Sequence, residues 1–207
     1  MMRVDHVVRA VRDLDVAAAE LAGQGLATTA GGVHPRWGTA NRIASLGGSR
    51  YIELLAVVDA ETAMATALGA AVATRSRDRD RWFALSLADD ELEATARRLA
   101  LPVEPGGRTL PDGRTVAWHS AGIDAPSRTP DLPFFIRWDV PPGAHPGDQV
   151  ADHASGATDI AWIEIAGDAD RFASWVGDAS VPVRFADGDD GVAAVALSTP
   201  SGEVVLR

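Results

Sequence analysis

Val4-Asp5-His6-Val7-Val8-Arg9-Ala10-Val11, followed by Asp13 and then Leu14 to Leu21, is the stretch that sets the fold, because its pattern returns twice further along the chain. The second copy is Trp82-Phe83-Ala84-Leu85-Ser86-Leu87, then Asp89, Asp90 and Leu92 to Leu99. The third is Ile160-Ala161-Trp162-Ile163-Glu164-Ile165, then Asp168 and Phe172 to Val176. Each time a short apolar strand meets an aspartate and then an amphipathic helix. Aspartate at such a junction accepts the free N–H groups of the first helical turn and complements the helix dipole. Leu14, Ala18 and Leu21 fall on one helical face, as do Leu92, Ala96 and Leu99, so each helix has a stripe to bury against a sheet.

Strand signals follow each helix. In the first unit Ala40 to Leu46 and Arg50 to Val57 flank Gly47-Gly48, a hairpin signature. The second shows Arg108 to Leu110, a Pro111-Asp112-Gly113 turn, Thr115 to Ser120, and the apolar run Pro133 to Trp138. In the third, Val181 to Phe185, Val192 to Leu197 and Glu203 to Leu206 are separated by turn residues. The pattern predicts an α+β fold of repeated βαβββ units over residues 3–57, 81–139 and 158–207. An Ala-rich helix over Ala60 to Ala73 joins the first two, and a Pro/Gly linker over 141–157 joins the last two. One unit is too small to bury a convincing core. Two side by side form a larger curved mixed sheet, helices outside and a concave cavity inside, so residues 1–140 are expected to make a paired domain. The third unit either extends that sheet, packs on it, or pairs with a second copy of the chain, which makes a homodimer an expectation.

Hydrophobic residues make up 46% of the 207 and charged residues 23%, the balance of a folded domain. No apolar run approaches the roughly 20 residues that cross a bilayer. The opening residues carry Arg3 and Asp5 where a signal peptide needs its apolar stretch. With no cysteine there is no disulfide framework, thiolate nucleophile or Cys-ligated zinc, and a cytoplasmic location is the default. A net charge of −10 repels nucleic acid and anionic membrane, and the one basic cluster, Arg75 to Arg81, is interrupted by Asp78 and Asp80 as a solvated loop would be. The expected partner is a small-molecule ligand.

Asp5-His6-Val7-Val8, Val11-Arg12-Asp13-Leu14-Asp15, His34-Pro35-Arg36-Trp37-Gly38-Thr39-Ala40-Asn41 and Tyr51-Ile52-Glu53-Leu54-Leu55 resemble the glyoxalase-like domains of the vicinal oxygen chelate superfamily. Pro133-Phe134-Phe135-Ile136-Arg137-Trp138 is a weaker match of the same kind. The resemblance implies paired units around a divalent metal (Zn, Ni, Mn, Fe or Co), with ligands from the first and last strands of each unit. Carried over, the first-unit ligands are His6 and Glu53. Strand alternation puts His6 on a face with Val4 and Val8, and Glu53 with Tyr51 and Leu55. The second unit departs from the pattern: Trp82 or Ala84 stands where His6 should recur, and a residue near Ile136 where Glu53 should. In the third unit the matching positions are Ile160 or Ala161 and the neighbourhood of Val205. None of these is a good ligand, so the metal set is incomplete.

His6 and Glu53 are the candidate catalytic pair, and each has a plainer reading. His6 can be a core histidine bonded to a neighbour such as Glu53, and a buried carboxylate must be paired or shifted. A general base beside a carbonyl is the functional use of such a group. Candidate substrate contacts are His34, Trp37, Asn41, Tyr51, Trp82, His119, Phe134 and Arg137. Residues 34–41 read as a loop entering a strand, with Trp37 covering a ligand or plugging the cavity mouth, and Asn41 orienting a carbonyl or satisfying turn backbone. Trp82, Trp118, Phe134 and Trp138 are core aromatics in the plainer reading. Arg137 points to solvent or holds an anionic substrate, and His145 reads as loop. No Gly-x-Ser-x-Gly elbow or phosphate-binding Gly-rich loop is present.

Beside a dimer built on the half-matched third unit with little pocket function, two functions follow: a metal-assisted lyase, isomerase or dioxygenase-type enzyme on a small carbonyl or hydroxylated compound, or a metal-free protein that binds or sequesters a small molecule. Metal analysis of the purified protein beside His6→Ala and Glu53→Ala separates them. Stoichiometric metal lost in both variants is the outcome for the metal-assisted enzyme. Metal-free protein stabilised by an aromatic ligand is the outcome for the binding protein.

Overall fold

The computed structural model describes residues 2–125, 129–148 and 151–207. Strand β1 (Arg3–Ala10) leads through helix α1 (Leu14–Gly23) to β2 (Thr29–His34), β3 (Thr39–Gly47) and β4 (Arg50–Val57). Asp13 starts α1 by accepting hydrogen bonds from the backbone N–H of Asp15 and Val16, at 2.8 and 3.0 Å. Gly47 and Gly48, both at positive φ, turn the chain from β3 into β4. The linking Ala-rich segment forms two helices rather than one, α2 (Ala60–Met64) and α3 (Ala67–Arg75). Thr66 restarts the second by accepting from Gly69 N–H, and the break lets α3 fold back onto α2. Gly69 packs so tightly there that a Cβ would stand 2.5 Å from the Ala63 carbonyl oxygen.

The second unit repeats the design with β5 (Arg81–Ala88), α4 (Leu92–Leu99), β6 (Val103–Thr109), β7 (Thr115–Ala121) and β8 (Phe134–Trp138). The eight strands close into a barrel in the order β1-β4-β3-β2-β6-β7-β8-β5. Within each half the first strand runs parallel to the fourth. The halves meet along two seams of unequal strength. Strands β1 and β5 pair antiparallel over nearly their whole length, whereas β2 and β6 touch through the single bridge Val33↔Thr109.

The last strands, β9 (Asp159–Ala166), β10 (Val183–Ala186), β11 (Gly191–Thr199) and β12 (Gly202–Leu206), with helix α5 (Ala169–Val176), do not extend the barrel. They make a separate sheet in the order β10-β9-β11-β12. Here the first strand lies in the middle rather than at a seam, because β9 is apolar on both faces: Ile160, Ile163 and Ile165 enter the main core, and Trp162 packs on Ala194 and Ala196. That main core joins the barrel's outer surface to the third sheet, through Val4, Val7, Leu85 and Phe135 on one side and Ile163, Phe172, Val195 and Leu197 on the other. A second core fills the barrel lumen with Val8, Leu55, Phe83, Trp118, Phe134 and Ile136. Among the described residues no helix is long and apolar enough to cross a membrane.

Phe135 is fully buried in β8 and its ring lies 6.4 Å from that of Trp175 in α5, so it couples barrel to third sheet. Phe135→Ala is expected to lower unfolding free energy by roughly 3–5 kcal/mol, read from urea denaturation midpoints.

Candidate active site in the barrel lumen

One irregularity in β1 builds the site. The pairing of β1 with β5 steps from Val4↔Leu87 to His6↔Ser86, leaving Asp5 as an extra residue in a β-bulge. Strict alternation would set Val4 beside His6. The bulge instead turns Val4 out to join Val7 and Val11 in the outer core, while His6 and Val8 line the lumen. Asp5 is left only 1% exposed, with three donors: His6 Nδ1 at 2.5 Å, Trp138 Nε1 at 3.0 Å and His145 Nε2 at 3.0 Å. Burial alone would raise its carboxyl pKa. The hydrogen bonds from His145 and His6, with their charges, outweigh burial and hold it down at about 2. An ionised carboxylate can only accept, so His6 carries its proton on Nδ1 and turns Nε2 toward the lumen.

Strand β4 supplies the facing group. Tyr51 stacks on the His6 imidazole, ring centroids 4.5 Å apart. Two residues on, and so on the same face, Glu53 brings Oε2 to 3.5 Å from His6 Nε2. That exceeds an ordinary N–H···O length, so the two atoms face a common space without being spent on each other. Glu53 Oε1 accepts from Asn41 Nδ2 at 2.5 Å, which fixes the carboxylate plane from β3. His34 Nδ1 lies 3.1 Å from Thr39 Oγ1. Burial, helped by the charges of Arg108 and His6 and opposed by Glu53, depresses the His34 pKa to about 4, so its imidazole is neutral near pH 7. Burial, then the negative charges of Asp5 and Glu53, push Tyr51 well above the usual phenol range.

The lumen is divided by chemistry. One wall is polar: His6, His34, Thr39, Asn41 and Glu53, with Arg108 from β6. The other is apolar: Phe83, Trp118, Ile123, Phe134, Ile136 and Trp138. The space open to the centres of water-sized spheres is about 50 Å³, room for a few waters or one small organic molecule.

The structure therefore gathers His6, His34, Trp37, Asn41, Tyr51, Glu53 and Phe134 around one cavity. Within residues 34–41 a turn from Pro35 to Gly38 enters strand β3 at Thr39, while His34 is the last residue of β2. Trp37 folds inward from that turn with Nε1 3.4 Å from Asp124 Oδ2. Three expected contacts lie elsewhere. Trp82 packs in the outer core, because a second bulge at Phe83, between Val8↔Ala84 and Arg9↔Trp82, sends Phe83 inward in its place. His119 and Arg137 sit opposite each other on the outward face of β7 and β8, where His119 Nδ1 is 2.7 Å from Asp139 and Arg137 is clamped by Glu93 at 2.6 and 2.7 Å. His145, read from sequence as plain loop, is buried against Asp5. Arg108, adjoining the predicted turn, gave no sequence signal of facing inward.

Residues 4–180 match the family described as glyoxalase-like domain. This chain belongs to that family. The glyoxalase-like chain shares its fold over its whole length with a hypothetical protein from Staphylococcus aureus, at TM-score 0.70 and 14% identity, covering 100% of this chain and 99% of the other. A Mn(II)-bound glyoxalase from Novosphingobium aromaticivorans aligns at TM-score 0.51 and 14% identity, over 99% of this chain and 83% of its own. A methylmalonyl-CoA epimerase from Mycobacterium tuberculosis aligns at TM-score 0.47 and 17% identity, over 68% and 89%. No curated protein matches the sequence. In the glyoxalase-like chain two units close around one cavity.

The donors among the described residues do not make up a metal-ligand set. His6 Nε2 and Glu53 Oε2 are spaced as two ligands of one ion would be, since bonds of about 2.1 Å at a tetrahedral angle put donors about 3.4 Å apart. The other half of the barrel adds nothing to them. Register makes Ser86, not Trp82 or Ala84, the counterpart of His6, because Ser86 pairs with Phe134 as His6 pairs with Tyr51. Two residues further along, Ile136 occupies the position of Glu53. Among the described residues no three His, Cys, Asp or Glu side chains gather at ligand spacing.

Since the His34 pKa falls from 6.5 to about 4 on folding, the unfolded chain binds more protons between those values. Stability is therefore full above about pH 6.5 and declines as pH drops toward 4. His34→Gln is expected to flatten that decline, by up to roughly 3 kcal/mol across the window, in urea titrations at pH 4.5 and 7.5.

Proposed function

We propose that this glyoxalase-like protein is an enzyme that moves a proton at the carbon beside a carbonyl group, an isomerase- or lyase-type step on a small molecule held in the lumen. The observation that carries this reading is the pair of unspent atoms, Glu53 Oε2 and His6 Nε2, facing one cavity 3.5 Å apart. Glu53 Oε2 takes the proton from carbon, and the C–H electron pair moves onto the carbonyl oxygen. His6, with a proton on Nε2 as well as the one Asp5 holds on Nδ1, would give the Nε2 proton to that oxygen, leaving an enol. Return of the Glu53 proton to carbon, on either face, and of the enol proton to His6 restores both groups. Asn41 holds the base in orientation, and Asp5 stabilises the imidazolium through Nδ1. No step is routed through a metal, because the donor set supports none.

The apolar wall of Phe83, Trp118, Phe134 and Trp138 supports a second reading, a protein that holds an aromatic or aliphatic compound without changing it.

The experiment takes small aldehydes, ketones and oxo acids that raise the melting temperature and incubates them with the protein in D₂O, following α-proton signals by NMR. Enzyme-dependent exchange is expected, reduced at least about 100-fold in Glu53→Gln with binding retained. Compounds that bind but exchange no faster than in buffer overturn the enzyme reading and leave the binding protein.

A further inference from the structure

The geometry points to a carboxylate as the anchoring group of the ligand, held by Arg108, so that the substrate class is a small carboxylic acid with a short apolar body. This deepens the proposed proton-transfer reading and rests on it for the word substrate.

Arg108 is 5% exposed, yet its Nε finds no hydrogen-bond partner, and among the described residues no carboxylate pairs with it. Other arginines of the chain are matched to acids, Arg36, Arg50, Arg137 and Arg171 to Glu104, Asp159, Glu93 and Asp131 respectively, and Arg9, whose Nε is likewise without a partner, lies over the Trp82 ring. A buried guanidinium without an anion is costly, and a planar carboxylate is the partner that matches its fork. The side chain borders the lumen, and its charge reaches His34 and Tyr51 there.

Its position relative to the reacting pair is fixed by Gly31. A Cβ on that residue would stand 2.1 Å from Asn41 Oδ1 and 3.2 Å from Arg108 Nη1, so both side chains lie close against the same bare backbone. Asn41 in turn holds Glu53, so an acid docked on Arg108 starts one amide side chain away from the base. Phosphate fits this site less well. The space is about 50 Å³, Arg108 is its one cation among the arginines lining it, and Asp5 and Glu53 already place negative charge nearby.

Calorimetry with 2-oxobutanoate, its amide and inorganic phosphate tests the assignment, with a series of monocarboxylates from acetate to phenylpyruvate as a wider screen. The wild-type protein is expected to bind the acid at least about tenfold more tightly than the amide or phosphate. Arg108→Met should erase that preference while its ligand-free melting temperature stays at or above wild type, since an unpaired buried charge has gone. Equal binding of acid and amide, tighter binding of phosphate, a preference that survives Arg108→Met, or no binding of any acid at millimolar concentration overturns the inference. The D₂O assay keeps the two claims apart. Arg108-dependent acid binding without exchange sinks the proton-transfer reading alone, and exchange confined to neutral carbonyl compounds sinks the carboxylate assignment alone.

Discussion

A single buried carboxylate organises the lumen. Asp5 takes donors from the next residue of its own strand, from Trp138 at the end of β8, and from His145 in the segment beyond it. Without these three, an anion at 1% exposure would be prohibitively costly, so the carboxylate and its donors hold each other in place. The bulge that admits Asp5 also decides which side chains of β1 face inward. Orientation of the imidazole, closure of the barrel end and the burial of Val4 in the outer core follow from one extra residue in a strand.

The two halves of the barrel have the same topology and opposite chemistry. His6, Asn41 and Glu53 come from the first, and Phe83, Phe134 and Ile136 occupy the second. Most of the polar lining therefore lies on one side, toward β3 and β4. Arg108 is the exception, a second-half residue that lines the polar wall with its Nε unpartnered, the feature on which the proposed carboxylate anchoring rests.

Much of this was legible in the sequence, and the misses share a cause. The apolar strands, the Asp13 cap and the Gly47-Gly48 hairpin announce themselves by periodicity and turn chemistry. His6 and Glu53 share the cavity as alternation along β4 and the family resemblance implied. Val4 and Trp82 lie on the outer face and not the lumen face expected of them, because a bulge shifts alternation by one residue and leaves no compositional trace. Arg137 and His119 had two equal faces available, and Glu93 and Asp139, remote in sequence from one or both, chose the outer one. The third repeat has the same element order as the others yet a different sheet, since helix–strand order alone does not say whether a first strand ends at an edge or a centre.

The unequal seams make the barrel mechanically lopsided. The β1–β5 side is backed by β11 and the shared outer core, whereas the β2–β6 side hangs on one bridge, where Gly32 lies so near Thr109 that a Cβ would stand 2.4 Å from its carbonyl oxygen. Local unfastening costs least where ladder bonds are fewest. The container thus behaves as a purse with a stiff spine and a loose clasp, and the clasp lies on the strands that carry His34 and Arg108.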